Sequence, residues 1–263
     1  MKAGVSTACL YPLHVEDALA ELGAMGIDNT EIFLNCHSEL RESFVKELSH
    51  ILENNNMSCV SVHPFTSELD NLMFFSQYKR RIYDILEYHK YYFNAMNILG
   101  AEIFVFHGNK TSTPVTPEFY MERFSMLCEL GKSFGITVAH ENVARCQCRS
   151  ISFMKQLINL NPDIRFALDI KQCVRAGENP ITAASEIGNN IVHVHISDHN
   201  DKNDCMEIGK GSFDIEKFLA VLKEKGFDRS VVIELYRGGF ENNSALYRNF
   251  KNLSDIIERI ENI

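Results

Sequence analysis

The chain has 263 residues, a formal net charge of −9, and an ordinary content of hydrophobic (45%) and charged (23%) residues. This composition predicts a folded chain with a large core. The negative charge argues against a protein that binds nucleic acid, which usually carries a basic face. No stretch is apolar enough for a membrane span and the start lacks a signal-peptide pattern, so we expect a cytoplasmic protein without membrane contact. The eight cysteines then indicate free thiols in a reducing compartment.

Eight short β-rich runs alternate with helix-like stretches along the chain. The runs are KAGVSTAC, TEIFL, CVSVH, EIFVFH, ITVAHE, IRFALD, IVHVHI and VVIELY. Helical periodicity is clearest from Arg81 to Gly100, from the predicted N-cap Asp214 to Gly226, and from Leu246 to Ile260. Alternating strands and helices form parallel sheets, and eight such units in about 250 residues are typical of a (β/α)₈ TIM barrel. We therefore predict an α/β protein with a single TIM barrel domain over residues 1–263. An open doubly wound sheet is the alternative, but no Gly-rich dinucleotide fingerprint follows the first strand.

Six of the eight predicted strands end in a residue type that binds metal ions. In chain order these residues are His63, His107, Glu141, Asp169, His195 and Glu234. The carboxyl ends of all barrel strands meet at one face, where catalytic groups lie. Three carboxylates in one barrel mouth would repel each other, and a divalent cation removes that repulsion. The sequence therefore predicts a metal site at this face. Alternation along strand seven places His193 one layer deeper, as a hydrogen-bonded core residue.

Five segments carry a resemblance to a known family, namely AHEN, ALDIKQ, HVHISD, IGKGSFD and VVIELY. With them the chain resembles the sugar phosphate isomerase/epimerase family, also called the xylose isomerase-like or AP endonuclease family 2 superfamily, over most of its length. The resemblance implies one divalent metal ion bound by Glu141, Asp169, His195 and Glu234. It also implies that Glu141 and Glu234 act as acid and base on opposite faces of a bound sugar.

The chemistry of this residue set agrees with that function. A cation held by oxygen-rich ligands polarises a ketose carbonyl and its neighbouring hydroxyl, so the proton on the adjacent carbon becomes acidic. One carboxylate removes this proton to give an enediolate, and the opposite carboxylate returns a proton from the other face. We predict a metal-dependent isomerase or epimerase that uses Mn²⁺, Mg²⁺, Co²⁺ or Zn²⁺. Its partner is a small sugar or sugar phosphate, and a homo-oligomer is compatible with the sequence.

Further pocket residues are predicted from their positions at the same face. We expect His63 and His107 to contact the substrate, although they could instead hold a second metal ion. Two positions depart from the family pattern. Gln172 stands where family ketose epimerases commonly have a His, and Asp201 stands where many have an Arg. Lys171 and Gln172 are predicted substrate contacts, and the direction of Lys171 is left open by strand alternation.

A glycine pair lies in the loop after strand seven, at the predicted catalytic face. Gly209 and Gly211 permit a tight backbone with exposed N–H groups, which can bind a phosphate, and a plain tight loop is the alternative. Arg145 and Arg149 follow strand five and could bind a phosphate or carboxylate, or could be solvated loop charges. Glu31 in strand two is a further candidate pocket group, and the strand pattern leaves open which face of the sheet its side chain is on.

Three other functions are open at this point. An inosose-type dehydratase shares the first half of the reaction, because it also forms an enolate. An endonuclease IV-like phosphodiesterase has extra zinc ligands that match the histidines of strands three and four. That enzyme, however, uses three zinc ions. It needs a His where Gln172 stands and an Asp-x-His where this chain has Asp204, Cys205 and Met206, so the third zinc site is incomplete. A non-catalytic sugar-binding barrel would not need two glutamates at the metal.

Overall fold

The computed structural model describes residues 1–262, in which eight parallel strands close into a barrel. Each strand pairs with its neighbours in chain order, and the first strand pairs with the eighth to close the ring. The strands are β1 Lys2–Ser6, β2 Asn29–Phe33, β3 Ser58–His63, β4 Ile103–Phe106, β5 Thr137–Glu141, β6 Arg165–Asp169, β7 Ile191–Ile196 and β8 Ser230–Ile233. The predicted (β/α)₈ TIM barrel is confirmed.

Ten α-helices occur within residues 1–262 and surround the barrel. They are α1 Val15–Ala24, α2 Glu42–Asn54, α3 Ser67–Phe74, α4 Arg80–Leu99, α5 Pro117–Ser133, α6 Ile151–Leu160, α7 Ile170–Ala176, α8 Pro180–Ile187, α9 Ile215–Glu224 and α10 Asn243–Glu261. The three predicted helices correspond to α4, α9 and α10. Gly100 ends α4 in the left-handed conformation, at φ 72°, which glycine adopts without steric strain. In this part of the chain no helix combines the length and apolarity that a membrane span requires.

The main hydrophobic core lies between the barrel wall and the helices. In α10, for example, Leu246, Phe250, Leu253 and Ile257 recur at steps of three and four and are buried. This spacing places them on one face of the helix, which packs against the barrel through β1. Burial of each such side chain contributes about 1.5–3 kcal/mol relative to exposure.

The barrel interior is divided into an apolar and a polar part. The apolar cluster lies on β4, β5 and β6 and consists of Ile103, Val105, Ala139 and Ala167. The polar part lies on β2, β3 and β7, where Glu31, Ser61 and His193 are fully buried. A register shift between Thr30 and Glu31 in the pairing of β2 with β3 sets Glu31 directly beside Ser61. The polar part lies beneath the carboxyl ends of the strands, so it supports the predicted site.

Candidate active site and metal centre

The four predicted metal ligands meet at the carboxyl ends of four consecutive strands. Glu141 ends β5, and Asp169 ends β6. His195 is the second-last residue of β7, and Glu234 directly follows β8. One donor atom from each residue lies within 4.8 Å of all the others. The first three side chains are buried, and that of Glu234 is 14% exposed, towards the cavity described below. The structure therefore brings all four residues into one cluster.

Distances between the donor atoms fit a shared cation. Nδ1 of His195 lies 3.4 Å from Oε1 of Glu141. The same nitrogen lies 3.7 Å from Oδ2 of Asp169 and 3.7 Å from Oε2 of Glu234. Ligands placed about 2.1 Å from a metal ion in tetrahedral geometry are about 3.4 Å apart. Three carboxylates and one imidazole also form a donor set that suits a divalent cation.

Lys171 enters the same cluster with its ammonium group. Nζ of Lys171 donates hydrogen bonds to Oδ2 of Asp169 and Oε2 of Glu234, the two oxygens that face His195. The backbone explains this direction, because Asp169 caps α7 by accepting the N–H of Gln172 at 3.0 Å. Lys171 therefore lies in the first helical turn and points into the site. The ammonium neutralises the same carboxylates that a cation would bind.

The site sets the ionisation of its carboxyl groups. At Glu141, burial alone would raise the pKa, but the neighbouring histidines, His107 foremost, outweigh burial and hold the pKa well below its usual range. At Glu234, burial is likewise outweighed by Lys171, and the pKa is lowered. At Asp169, burial prevails and the pKa is raised. The two glutamates are therefore ionised at neutral pH and can each accept a proton.

Two histidines stand beside Glu141 on the wall of the site. Nε2 of His107 lies 2.8 Å from Oε2 of Glu141 and 2.8 Å from Nε2 of His63. Phe33 stacks on the His63 ring, with ring centroids 4.5 Å apart. Glu141 and the two histidines also form a second group whose donor atoms lie within 4.8 Å of one another. The arrangement is compatible with both expected roles, namely substrate contact and ligation of a second ion.

A cavity of about 360 Å³ opens above the cluster. Its polar lining includes His63, His107, Glu141, Lys171, Gln172 and Glu234. Its apolar lining includes Tyr11, Phe33, Leu235 and Tyr236. This volume is near the lower end for ligand pockets, about 300–1,000 Å³, and therefore favours a small molecule. A larger cavity of about 610 Å³ lies outside the barrel between α2 and α4, away from the predicted ligands.

The two departures from the family pattern have different positions. Gln172 lines the cavity, and its side-chain oxygen accepts the N–H of Ala144 at 2.9 Å. Asp201 is exposed in the loop after β7. The predicted contact of Gln172 with substrate is therefore sterically available, whereas Asp201 does not line this cavity.

The glycine loop after β7 differs from the expectation. The N–H groups of Gly209 and Gly211 each donate to Oδ2 of Asp198 at 2.9 Å, and Oδ1 of Asp198 accepts the N–H of Phe213 at 3.1 Å. A Cβ atom at position 211 would collide with the Asp198 carboxylate. The expectation that Gly209 and Gly211 bind substrate phosphate is therefore corrected, because a carboxylate of the chain itself already occupies their N–H groups.

The two loop arginines differ in their position relative to the cavity. Arg145 lines the cavity mouth, and its guanidinium lies 3.5 Å from Glu68. Arg149 is exposed in the 3₁₀ turn Gln147–Arg149 and does not line the cavity. Of these two arginines, Arg145 is the one that an anionic group of a ligand could reach.

Together, the closed barrel and the carboxylate–histidine cluster at its mouth define a TIM barrel with a candidate metal centre. Residues 17–257 match the family model described as xylose isomerase-like TIM barrel, so the chain belongs to this family. The resemblance seen in the sequence motifs is thereby confirmed.

The individual relatives have low sequence identity to this chain. An uncharacterised protein of Methanocaldococcus jannaschii is 25% identical over 257 residues, which cover 89% of this chain and 83% of that protein. A D-tagatose 3-epimerase-like protein superposes with a TM-score of 0.80 at 20% identity, over 100% of this chain and 99% of the other. The IOLI protein with a bound zinc atom gives a TM-score of 0.80 at 19% identity, over 99% of both chains. These two structures share the fold with this chain.

Proposed function

We propose that the protein is a divalent-metal-dependent isomerase or epimerase that acts on a small sugar or sugar phosphate. The main support is the cluster of Glu141, Asp169, His195 and Glu234, which share one site at the floor of a cavity that suits a small molecule. The names of the two structural neighbours, one epimerase-like and one with bound zinc, agree with this chemistry.

The two glutamates are proposed to transfer the protons. A bound divalent cation supplies Lewis acidity that makes the C–H next to a carbonyl acidic. Glu141 approaches the cavity from β5 and Glu234 from β8, three strands away around the barrel. One ionised glutamate would take the proton from the C–H and keep it. The opposite glutamate would first take up a proton from solvent and would then donate it to the other face of the carbon. The configuration at that carbon is thereby inverted, and the same groups serve the reverse direction.

Other cavity residues are proposed to bind and orient the sugar. His63, His107, Lys171 and Gln172 line the cavity and offer donors to hydroxyl and carbonyl oxygens. Nε2 of His107 also lies 2.8 Å from Oε2 of Glu141, so the histidine limits the space into which that carboxylate can turn. The apolar wall formed by residues such as Phe33 can pack against the C–H face of a sugar ring.

The nuclease alternative has little support from the loop after β7. Asp204, which would be needed for a third zinc ion, is paired with Arg175 at 2.5 Å and 3.1 Å. Met206 forms an isolated β-bridge with Asp198 through backbone hydrogen bonds. Its thioether is in any case a soft ligand for a borderline ion.

The test is proton exchange with solvent. The protein, loaded with Mn²⁺ or Co²⁺, is incubated in D₂O with ketoses, ketose phosphates and inososes, and the products are analysed by NMR and mass spectrometry. We expect deuterium next to the carbonyl of at least one compound. Glu141→Gln and Glu234→Gln should each lower the rate by about 10²- to 10⁴-fold. Glu87→Gln, at an exposed glutamate of α4, is the matched control.

The same experiment separates the alternatives. A product that has lost water identifies a dehydratase. A metal-loaded protein that binds a sugar without exchanging any proton identifies a binding protein and contradicts the proposal.

A further inference from the structure

A buried carboxylate lies directly beneath the candidate metal centre. Glu31 of β2 is fully buried, and its Oε2 atom faces three polar side chains. This oxygen lies 2.8 Å from Oγ of Ser61, 3.0 Å from Nε2 of His193 and 3.0 Å from Nε2 of His195. Glu31 does not line the cavity, so it cannot contact a substrate there.

The contact with Glu31 determines how His195 presents its ring. An ionised carboxylate only accepts hydrogen bonds, so Nε2 of His195 must carry a hydrogen and donate it to Glu31. The other ring nitrogen, Nδ1, is the atom that faces Glu141, Asp169 and Glu234. A metal ligand nitrogen must be free of hydrogen. The tautomer with hydrogen on Nε2 is therefore the one that can bind a cation among the carboxylates.

We propose that Glu31 is the positioning residue of the metal centre: it holds the ring orientation and tautomer of His195 and makes Nδ1 a better electron donor. This inference rests on the proposed metal-dependent function. The positioning role also explains why a charged residue, Glu31, occupies a buried position in which an apolar side chain would pack more favourably. Oε1 of Glu31 has no hydrogen-bond partner among residues 1–262, and such burial of a charge is unfavourable for packing alone.

Glu31→Gln tests the role directly. The variant keeps the size of the side chain but removes the charge that accepts the hydrogen bond from His195. We expect the affinity for Co²⁺, measured by competition with a chelator, to fall about 10- to 100-fold, the usual effect of losing such a partner. The visible absorption spectrum of the Co²⁺-loaded variant should also differ from that of the wild type. Glu31→Asp should recover part of the affinity, because it restores the charge.

Ser61→Ala is the matched control. It removes another donor to the same carboxylate oxygen without contacting His195, so its Co²⁺ affinity and spectrum should equal those of the wild type. Thermal unfolding of the metal-free variants shows whether each is folded. A folded Glu31→Gln protein with wild-type affinity and spectrum would overturn the proposal.

The remaining outcomes are also decisive. If Glu31→Gln does not fold, nitrogen-15 NMR of the wild-type protein loaded with Zn²⁺ identifies which ring nitrogen of His195 carries the hydrogen. A hydrogen on Nδ1 instead of Nε2 would equally overturn the role of Glu31. A wild-type protein that binds no divalent cation overturns both this inference and the proposed function. A wild-type protein that binds Co²⁺ but exchanges no sugar proton contradicts only the catalytic part.

Discussion

Replacement of Lys171 by Met should make the stability of the protein depend on metal. In the structure the Lys171 ammonium is hydrogen-bonded to Asp169 and Glu234, and its side chain is only 6% exposed. The substitution leaves both carboxylates without this partner and close to Glu141. A cation bound by the same oxygens would replace the missing positive charge.

The magnitude follows from the burial of the pair. Loss of one partner of a buried ion pair costs about 3–5 kcal/mol. In a protein of roughly this size each kcal/mol lowers the melting temperature by about 2–4 °C, so the metal-free variant should melt roughly 6–20 °C below the wild type. The binding of metal should become tighter, because the cation no longer competes with an ammonium group for Asp169 and Glu234.

The loss of stability caused by Lys171→Met should also depend on pH. Burial already raises the pKa of Asp169 in the wild type, and Lys171 opposes that effect, so the pKa rises further in the variant. A carboxyl group whose folded pKa lies above its unfolded value stabilises the fold below the unfolded pKa. This stabilisation is lost as the pH rises through the folded pKa. The deficit of Lys171→Met should therefore be smaller at pH 5 than at pH 8.

Calorimetry with and without Mn²⁺ at both pH values is the assay. Lys90→Met is the control, because Lys90 forms an exposed pair with Glu87 that contributes about 1 kcal/mol at most. A metal-free Lys171→Met protein that melts at the wild-type temperature, or an equal rise of both melting temperatures with Mn²⁺, would contradict this role of Lys171.

Two further predictions concern other parts of the chain. Asp198→Ala leaves several loop N–H groups without their acceptor, so the free energy of unfolding in urea should fall by at least about 2 kcal/mol. A variant as stable as the wild type would contradict this role. Thiol alkylation at pH 8, followed by mass spectrometry, should modify exposed Cys36 first. Cys9 and Cys59 should react only on unfolding, since burial raises the pKa of each to about 12. Equal rates in the native protein would contradict this.

The barrel and the four-residue cluster were predictable because both depend on simple geometry. Parallel strands in a closed barrel end at one face, so residue types at strand ends place Glu141, Asp169, His195 and Glu234 together, along with two further histidines. The choice of these four as metal ligands came from the family resemblance. Period-two alternation also predicts the deeper position of His193, which the structure shows fully buried. These features require no knowledge of how side chains pack.

The remaining features depend on tertiary contacts. The direction of Glu31 was ambiguous because strand pairing shifts register between Thr30 and Glu31, which local alternation does not reveal. The glycine loop has the composition of an anion site, and it does surround an anion, but that anion is Asp198 of the same chain. An acidic residue shortly before a glycine-rich turn is the signal that could have indicated this internal partner.

The division of the barrel interior limits how the protein can be altered by engineering. Substitutions in the apolar cluster of β4–β6, such as Ala139 or Ala167, change packing without removing a polar contact of the metal centre. An apolar substitution at Glu31 would remove an unfavourable buried charge, but it would also remove the hydrogen bond to His195. An apolar substitution at His193 would remove a partner of the same Glu31 carboxylate. Selection for heat resistance should therefore accumulate substitutions in the apolar part of the barrel interior. Substitutions selected in the polar part should eliminate activity.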